Sequence, residues 1–203
     1  MVKKASIGVL GIQGAISEHV AIMNNVLLED KDNKKTIIVR NKEDLQQVDG
    51  LIIPGGESTT ISRFLINKEL QSIIKKRVMN HSLAVMGTCA GCILIAKTIK
   101  DQIKDIVPLE LIDITVIRNA YGRQRESFEQ DVLIEGFNEP FHAVFIRSPI
   151  IEKAGSNCQI LSKTNNRIVM VKQDNVLGLS FHPELTEDTR IHRYFLNIVQ
   201  EEV

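Results

Sequence analysis

The fold of this chain is organised around one stretch of sequence, Ala84-Val85-Met86-Gly87-Thr88-Cys89-Ala90-Gly91-Cys92. An apolar segment ends at a glycine, a cysteine stands two positions later, and a second glycine opens a segment of helical character. The spacing Gly-x-Cys-x-Gly is that of the nucleophile elbow, a sharp turn from a strand into a helix. In such a turn the following backbone N–H groups face the reacting carbonyl. We therefore predict that Cys89 is a nucleophile.

Length, composition and charge narrow the class of protein. The chain has 203 residues, 43% of them hydrophobic and 25% charged, which is ordinary for a globular protein. Lysine and arginine together number 25, as do aspartate and glutamate, so net charge gives no attraction to nucleic acid or to an anionic membrane. Three cysteines are too few for a disulfide framework, and no apolar run has the length of a membrane span. We expect a cytoplasmic protein with free thiols.

The first part of the sequence alternates strands with helices, and the second part does not. Apolar and β-branched runs predict strands at 5–10, 36–39, 51–53 and 83–86; apolar residues at helical spacing predict helices after Ser17 and Ser58 and over 70–78 and 90–99. This alternation is typical of a mostly parallel sheet with helices on both faces. Beyond Pro108 we predict a small antiparallel section, with strands at 114–117, 132–134, 144–146, 159–161, 168–171 and 176–179. A last helix is predicted over 187–202, and we expect one α/β domain over residues 1–203.

A cysteine nucleophile needs a base, and His182-Pro183-Glu184 offers one. In an extended segment residues i and i+2 point the same way, so the imidazole and the carboxylate are expected side by side. Pro183 suits the end of a strand, because it cannot donate to a sheet ladder. The alternative is a histidine in a loop next to a turn, without any role in chemistry. The elbow at Cys89 favours the catalytic interpretation.

A second glycine-containing turn, Pro54-Gly55-Gly56-Glu57-Ser58, follows a buried strand and precedes a helix. It could be a plain turn with a serine cap. In the functional interpretation the Gly56 N–H and the Ala90 N–H form an oxyanion hole, and small residues keep both turns open to the substrate carbonyl.

Other chemistries have weaker support in the sequence. Cys89 and Cys92 form a Cys-x-x-Cys pair, but the spacer lacks proline and Cys92 precedes an apolar run, so Cys92 is more typical of a core residue than of a redox partner. No second close pair of thiols completes a zinc site, and no phosphate-binding loop is present, so we expect no metal and no cofactor. Cys158 is expected in the core. The remaining histidines, His19, His81, His142 and His192, have no partner that the sequence can name.

Several blocks of sequence together resemble the class I, or triad, glutamine amidotransferases, and more narrowly the glutaminase subunits of pyridoxal 5'-phosphate synthase. The elbow over 87–91 and His182-Pro183-Glu184 carry the wider resemblance. The narrower one rests on four longer blocks: Gly8-Val9-Leu10-Gly11-Ile12-Gln13-Gly14, Pro54-Gly55-Gly56-Glu57-Ser58-Thr59-Thr60, Arg118-Asn119-Ala120-Tyr121-Gly122-Arg123-Gln124 and Phe181-His182-Pro183-Glu184-Leu185-Thr186-Glu187-Asp188.

The resemblance implies a flavodoxin-like fold and a glutaminase activity. It implies that Cys89, His182 and Glu184 form a catalytic triad that releases glutamate and ammonia from L-glutamine through a thioester. In this family the ammonia passes to a separate synthase subunit, which condenses it with a pentose phosphate and a triose phosphate, and docking of that subunit activates the glutaminase. The residues that line the glutamine site by resemblance are Gly56, Glu57, Ser58, Arg118, Ile146 and Arg147, and Gln13 becomes a candidate for the partner interface.

Two further classes stay open at this point. A cysteine hydrolase of a related peptidase or chaperone-like branch could share the elbow, although a His-Pro-Glu near the end of the sequence argues against it. An interaction module could carry the same residues in an inactive site.

Overall fold

The computed structural model describes residues 5–30, 35–100, 105–118 and 127–203. Within those ranges the strands are β1 (Ile7–Leu10), β2 (Ile37–Val39), β3 (Gly50–Ile53), β4 (Ala84–Thr88), β5 (Ala96–Ile99), β6 (Ile112–Ile117), β7 (Ser127–Val132), β8 (Phe141–Ile146), β9 (Ile150–Ala154), β10 (Gln159–Thr164), β11 (Arg167–Gln173) and β12 (Val176–Leu179). The helices are α1 (Ile16–Glu29), α2 (Lys42–Gln46), α3 (Ser58–Asn67), α4 (Leu70–Met79), α5 (Ala90–Ile95) and α6 (Arg190–Glu202), and a 3-10 turn spans Pro183–Leu185.

A ten-stranded sheet runs through the molecule in the order β2-β1-β3-β4-β12-β11-β9-β6-β5, with β10 paired to β11. The strands from β2 to β12 are parallel, whereas β11 is antiparallel to β12, β10 and β9. Strands β7 and β8 form a separate antiparallel pair. The predicted α/β class, with a mostly parallel sheet and a small antiparallel section, is confirmed.

Helices cover both faces of this sheet, and its central strands are therefore buried on both sides. In β3, Leu51 and Ile53 face one apolar cluster and Ile52 the other, as the two-residue period of a strand requires. The first cluster includes buried residues of α3, α4 and α5, and the second includes Met23 of α1 and Phe195 of α6.

Some predicted elements have different bounds. The helix predicted over 90–99 ends at Ile95, and Ala96–Ile99 forms β5 because it pairs with β6, where Ala96 lies opposite Ile112. β12, predicted in the antiparallel section, is antiparallel to β11 but pairs in parallel with β4 on its other side. The strand predicted over 132–134 lies earlier, as β7, and α6 begins at Arg190 instead of residue 187. The sequence patterns did not indicate β9 or α2.

Most of the block over 118–124, on which part of the resemblance rests, lies outside the described ranges. Among the helices that the structure describes, none combines the length and the hydropathy needed to cross a membrane. A single domain over 1–203 stays a prediction.

Candidate active site

Cys89 stands at the tip of a sharp turn between β4 and α5. Its φ of 51° and ψ of −105° are unusual for a residue with a side chain, and its N–H donates a 2.9 Å hydrogen bond to the carbonyl of Leu179 in β12. The two glycines of the motif are required by close backbone approach. A Cβ on Gly87 would lie 2.7 Å from the carbonyl carbon of Gly91, and one on Gly91 would overlap the carbonyl oxygen of Ile53. The predicted Gly-x-Cys-x-Gly spacing therefore allows the tight turn that holds the Cys89 thiol at its tip.

The structure brings His182 and Glu184 together just beyond β12. His182 Nδ1 lies 2.7 Å from Glu184 Oε1, and the Glu184 side chain is fully buried. The backbone N–H of His182 donates a 2.8 Å hydrogen bond to the carbonyl oxygen of Val144 in β8. The local backbone is not the extended segment that we expected, because Pro183 begins a 3-10 turn and Glu184 lies within it. The turn brings the carboxylate to the imidazole by a different route.

His182 also contacts Cys89, which completes a chain of three side chains. Burial has the largest single influence on the pKa of His182 and acts to lower it, but hydrogen bonds with Cys89 and Glu184 and the charges of both groups outweigh burial and raise this pKa to about 10. The raised pKa favours the protonated imidazole, so His182 can hold a proton taken from the Cys89 thiol, the transfer that activates a cysteine nucleophile.

The turn after β3 packs against this chain. A Cβ on Gly55 would overlap the His182 ring and come within 3.3 Å of Cys89 Cβ, so the backbone of the turn lies directly on the two side chains. The neighbouring Gly56 lies close to the loop between β1 and α1, with a Cβ position 3.4 Å from the carbonyl oxygen of Gln13. Ala90 is buried at the first position of α5. The two proposed oxyanion donors thus belong to turns that flank Cys89.

Glu57 and Arg118 form an ion pair with 3.2 Å between Arg118 Nη2 and Glu57 Oε1. Glu57 also caps α3, because its carboxylate accepts hydrogen bonds from the N–H groups of Thr59 and Thr60. Burial, the largest influence, acts to raise the pKa of Glu57, but the hydrogen bonds from both threonines lower it to about 2. The expected serine cap is wrong: Ser58 lies inside the first turn of α3, and its buried hydroxyl has no hydrogen-bond partner among the described residues.

The other residues expected at the site lie around its mouth. The Cys89 thiol donates to the carbonyl oxygen of Ile146, at the end of β8, over 3.6 Å. Arg147 follows with a φ of 47°, and the Ile146 side chain is 37% exposed. Gln13 is exposed in the loop after β1.

The two remaining cysteines are placed apart from this chemistry. Cys92 is fully buried, and burial, together with the charge of Cys89, raises the pKa of its thiol. The Cys92 sulfur packs 3.4 Å from the position of a Cβ on Gly178, in the core behind the turn. Cys158 is only partly buried and lies near Asp113 and Gln173. Within the described part of the chain, no cluster of three or more side chains could hold a metal ion.

Sequence reasoning missed two buried histidines behind Glu184. His19 Nε2 of α1 lies 3.3 Å from Glu184 Oε2, and its Nδ1 lies 2.9 Å from His192 Nε2 of α6. No local sequence pattern indicates that His19 meets Glu184 and His192, because a histidine on the apolar face of a helix has the spacing of any core residue.

The chain is similar to known proteins over almost its whole length. The family model described as "SNO glutamine amidotransferase family" matches residues 9–201. The chain is 48% identical to "Pyridoxal 5'-phosphate synthase subunit PdxT" of Fervidobacterium nodosum over 195 residues, which cover 96% of this chain and 97% of that protein. It is also 48% identical to the protein of the same name from Thermotoga maritima, over 96% of this chain and 99% of that one.

Solved structures give the same result for the fold. A crystal structure of a glutamine amidotransferase, 43% identical, superposes with a TM-score of 0.85 over 95% of this chain and 98% of that one. A second glutamine amidotransferase, from Thermotoga maritima, has a TM-score of 0.60 at 13% identity and supports the fold alone.

Proposed function

The chain belongs to the SNO glutamine amidotransferase family, and from that premise we propose that it hydrolyses L-glutamine to L-glutamate and ammonia at Cys89. One observation carries this proposal: Cys89, in a strained turn, contacts His182, and His182 Nδ1 lies 2.7 Å from the buried Glu184 carboxylate. These contacts support Cys89 as the nucleophile, His182 as its base and Glu184 as the group that orients the base, the order that nucleophilic acyl transfer requires.

The proposed mechanism has two half-reactions. The Cys89 thiol gives its proton to His182, and the thiolate attacks the side-chain amide carbon of glutamine. The N–H groups of Gly56 and Ala90 stabilise the oxyanion. The His182 imidazolium then protonates the departing amine, so that ammonia leaves and a thioester forms. In the second half-reaction His182 takes a proton from water, the hydroxide attacks the thioester, and glutamate leaves as Cys89 recovers its proton.

Charges at the mouth suit the two ends of an amino acid. Arg118 and Arg147 offer positive charge for the α-carboxylate, and Glu57 offers negative charge for the α-ammonium group. The Glu57–Arg118 ion pair holds both charged groups in one place before substrate enters. Ser58 and Ile146 complete the proposed substrate site.

We further propose that the ammonia passes to the synthase subunit of pyridoxal 5'-phosphate synthase. The support is that relatives covering almost the whole chain are named as subunits of that enzyme. The synthase would join the ammonia to a pentose phosphate and a triose phosphate, and the exposed Gln13 would lie in the interface. Free thiols at all three cysteines fit a cytoplasmic location.

The test is glutamate release from L-glutamine in the presence of the synthase subunit, with two cysteine variants. Cys89→Ala should abolish glutamate release and keep the melting temperature of the parent chain. Cys92→Ala is the matched control: it removes a buried thiol three residues away, and we expect kcat to stay within about threefold of the parent, since Cys92 lies in the core. Activity in Cys89→Ala would contradict the proposal, and equal losses in both variants would favour redox chemistry.

A second measurement separates an enzyme from an inactive interaction module. A glutamine analogue that carries an electrophile at the side-chain carbonyl should label Cys89 covalently, as seen by mass spectrometry of the digested protein. Absence of labelling with the synthase bound would favour the interaction module.

A further inference from the structure

Two buried imidazoles lie directly behind the proposed triad and have no part in the mechanism above. His19 is in α1 and His192 is in α6, and neither is accessible to solvent. His19 Nδ1 lies 2.9 Å from His192 Nε2. Polar groups in an apolar core are costly unless they are paired, so these side chains need a reason to be there.

The second nitrogen of His19 faces the active site. His19 Nε2 lies 3.3 Å from Glu184 Oε2 and 3.2 Å from Thr88 Oγ1. Glu184 uses its other oxygen, Oε1, for His182, and Oε2 has no hydrogen bond of good geometry with any residue in the described ranges. His19 is therefore the polar group that faces the free half of the orienting carboxylate.

The positions of the protons follow from what each group can do. A carboxylate only accepts, so His19 Nε2 must carry the proton that faces Glu184, and His19 Nδ1 is then an acceptor. His192 Nε2 must donate to it. This leaves a bare lone pair on His192 Nδ1, which has no partner among the described residues, and an unpaired acceptor is less costly than an unpaired N–H. The chain of donors runs from α6 through α1 to Glu184.

The pair is neutral, which suits its position. Burial, followed by the charges of His192 and His182, holds the pKa of His19 well below its usual value, and burial lowers the pKa of His192 to about 3. His19 can thus hold Glu184 through an N–H dipole without adding a second positive charge beside the His182 imidazolium. The negative charge of Glu184 stays available to His182.

Thr88 links His19 to the turn that follows β3. It is fully buried directly before Cys89, and its hydroxyl oxygen accepts a 3.1 Å hydrogen bond from the N–H of Gly55. His19 therefore contacts both the carboxylate that orients the base and the threonine that holds the turn with the proposed oxyanion donor Gly56.

We propose that His19 is a positioning residue for the reaction, whose Nε2–H group donates to Thr88 Oγ1 and faces Glu184 Oε2 at 3.3 Å, and so fixes the Gly55-Gly56 turn and the His182 ring relative to Cys89. The proposal rests on the proposed function, since it assigns a role in the same site.

The test compares two amides at position 19. In His19→Gln the amide nitrogen reaches close to the place of Nε2 and can donate to both Glu184 and Thr88, whereas in His19→Asn it reaches only the place of Nδ1. The quantities to compare are kcat and KM for glutamate release with the synthase subunit bound. His19→Gln should keep kcat within about fivefold of the parent, and His19→Asn should lose about 10- to 100-fold in kcat, the usual range for groups that orient a reacting side chain, with little change in KM. Equal kcat values in the two variants would overturn the proposal.

Two controls separate positioning from stability. Met23→Ala removes a buried side chain one turn along the same face of α1 and should lower the melting temperature without lowering kcat at a temperature where it is folded. Cys89→Ala in the same series tests the proposed function: residual activity there contradicts that function, whereas an inactive Cys89→Ala beside a fully active His19→Asn overturns the positioning role alone.

A second pair of variants tests the same contact without a change in α1. Thr88→Ser keeps the hydroxyl, and Thr88→Val removes it at similar volume. Thr88→Ser should stay within about fivefold of the parent kcat, and Thr88→Val should lose at least about tenfold. Parent-like kcat in Thr88→Val would overturn the link between His19 and the Gly55-Gly56 turn, even if a His19 variant does not fold.

Discussion

At Gly55 one methyl group would be enough to disturb the arrangement of Cys89 and His182. The α-carbon of Gly55 lies so close to the imidazole that any Cβ there would overlap the ring and approach Nδ1 to 3.1 Å. The ring cannot retreat freely, because Nδ1 is bound to Glu184 and both side chains are almost fully buried. Exclusion of a side chain at position 55 is therefore a condition for contact between His182 and Cys89.

We predict that Gly55→Ala lowers kcat for glutamate release by about 100-fold, since displacement of a reacting group by about 1 Å can cost that much. Gly178→Ala is the matched control, because a Cβ there meets its nearest atoms at an ordinary 3.4 Å. It should keep both kcat and the melting temperature close to those of the parent. Steady-state kinetics with the synthase bound give the comparison, and full activity of Gly55→Ala would contradict the packing described.

At this scale the sequence indicates candidate residues that stand in a recognisable local pattern, and it does not indicate residues that lack one. Cys89 could be singled out because its glycines stand within two residues of it, and Glu184 because it follows His182 by two. His19 and His192 meet across 173 positions of sequence. Only the packing of α1 against α6 joins them, and no spacing rule contains that information.

At the scale of elements, the first turn of α3 depends on Glu57. Its carboxylate satisfies two of the N–H groups that a helix leaves unpaired at its start, and the ion pair with Arg118 holds the carboxylate in place. One side chain thus begins a helix and contributes to the proposed substrate site.

Glu57→Ala should lower the free energy of unfolding by about 1 kcal/mol at pH 7, the usual cost of a lost cap. Because the pKa of Glu57 is lowered to about 2 in the folded state, the stabilisation is present above its ordinary pKa of 4.5 and is lost as the pH falls towards 2. The deficit of the variant should therefore shrink between pH 7 and pH 3 in urea titrations. Glu69→Ala, before α4, is the control, since Glu69 makes no cap hydrogen bond; a deficit as large as that of Glu57→Ala would contradict the assignment.

The errors at β5 and β12 have one physical cause. The strand β5 reads as the end of a helix because its four residues follow directly from α5, and it is a strand only because β6 lies next to it. In the same way the sequence of β12 looks like any short strand of the second half, and its parallel partner β4 is far away along the chain. The neighbouring strands determine where β5 and β12 lie in the sheet, and the composition of a segment does not indicate which strand it pairs with.

For the whole molecule, the buried histidine pair predicts sensitivity to acid. The pKa of His192 is lowered to about 3 by burial, and that of His19 is also lowered, so between pH 6.5 and 3 the unfolded chain binds protons that the folded chain excludes. The stabilisation from neutral imidazoles is present above pH 6.5 and is lost as the pH falls. His192 contacts His19, and Glu184 and His182 lie beyond it.

His192→Phe should flatten this dependence. Each excluded proton steepens the fall of unfolding free energy by up to about 1.4 kcal/mol per pH unit, so removal of one site gives a shallower slope between pH 6.5 and 4. Urea titrations at three pH values measure it. His142→Gln is the control: Glu129 and Asp131 raise the pKa of that exposed histidine, so its contribution to stability changes above pH 6.5, and the variant should leave the slope between pH 6.5 and 4 nearly unchanged. An unchanged slope in His192→Phe would refute the prediction.

The position of β12 in the sheet also affects how the chain folds during synthesis. During synthesis β4 and the Cys89 turn leave the ribosome well before Val176–Leu179, the strand that closes the open side of β4, and before His182. A nascent chain therefore carries an unpaired strand edge, which can pair wrongly with other chains, and a Cys89 thiol that has not yet met His182. Pairing of β12 with β4 and the meeting of His182 with Cys89 are therefore one step in the folding of the chain.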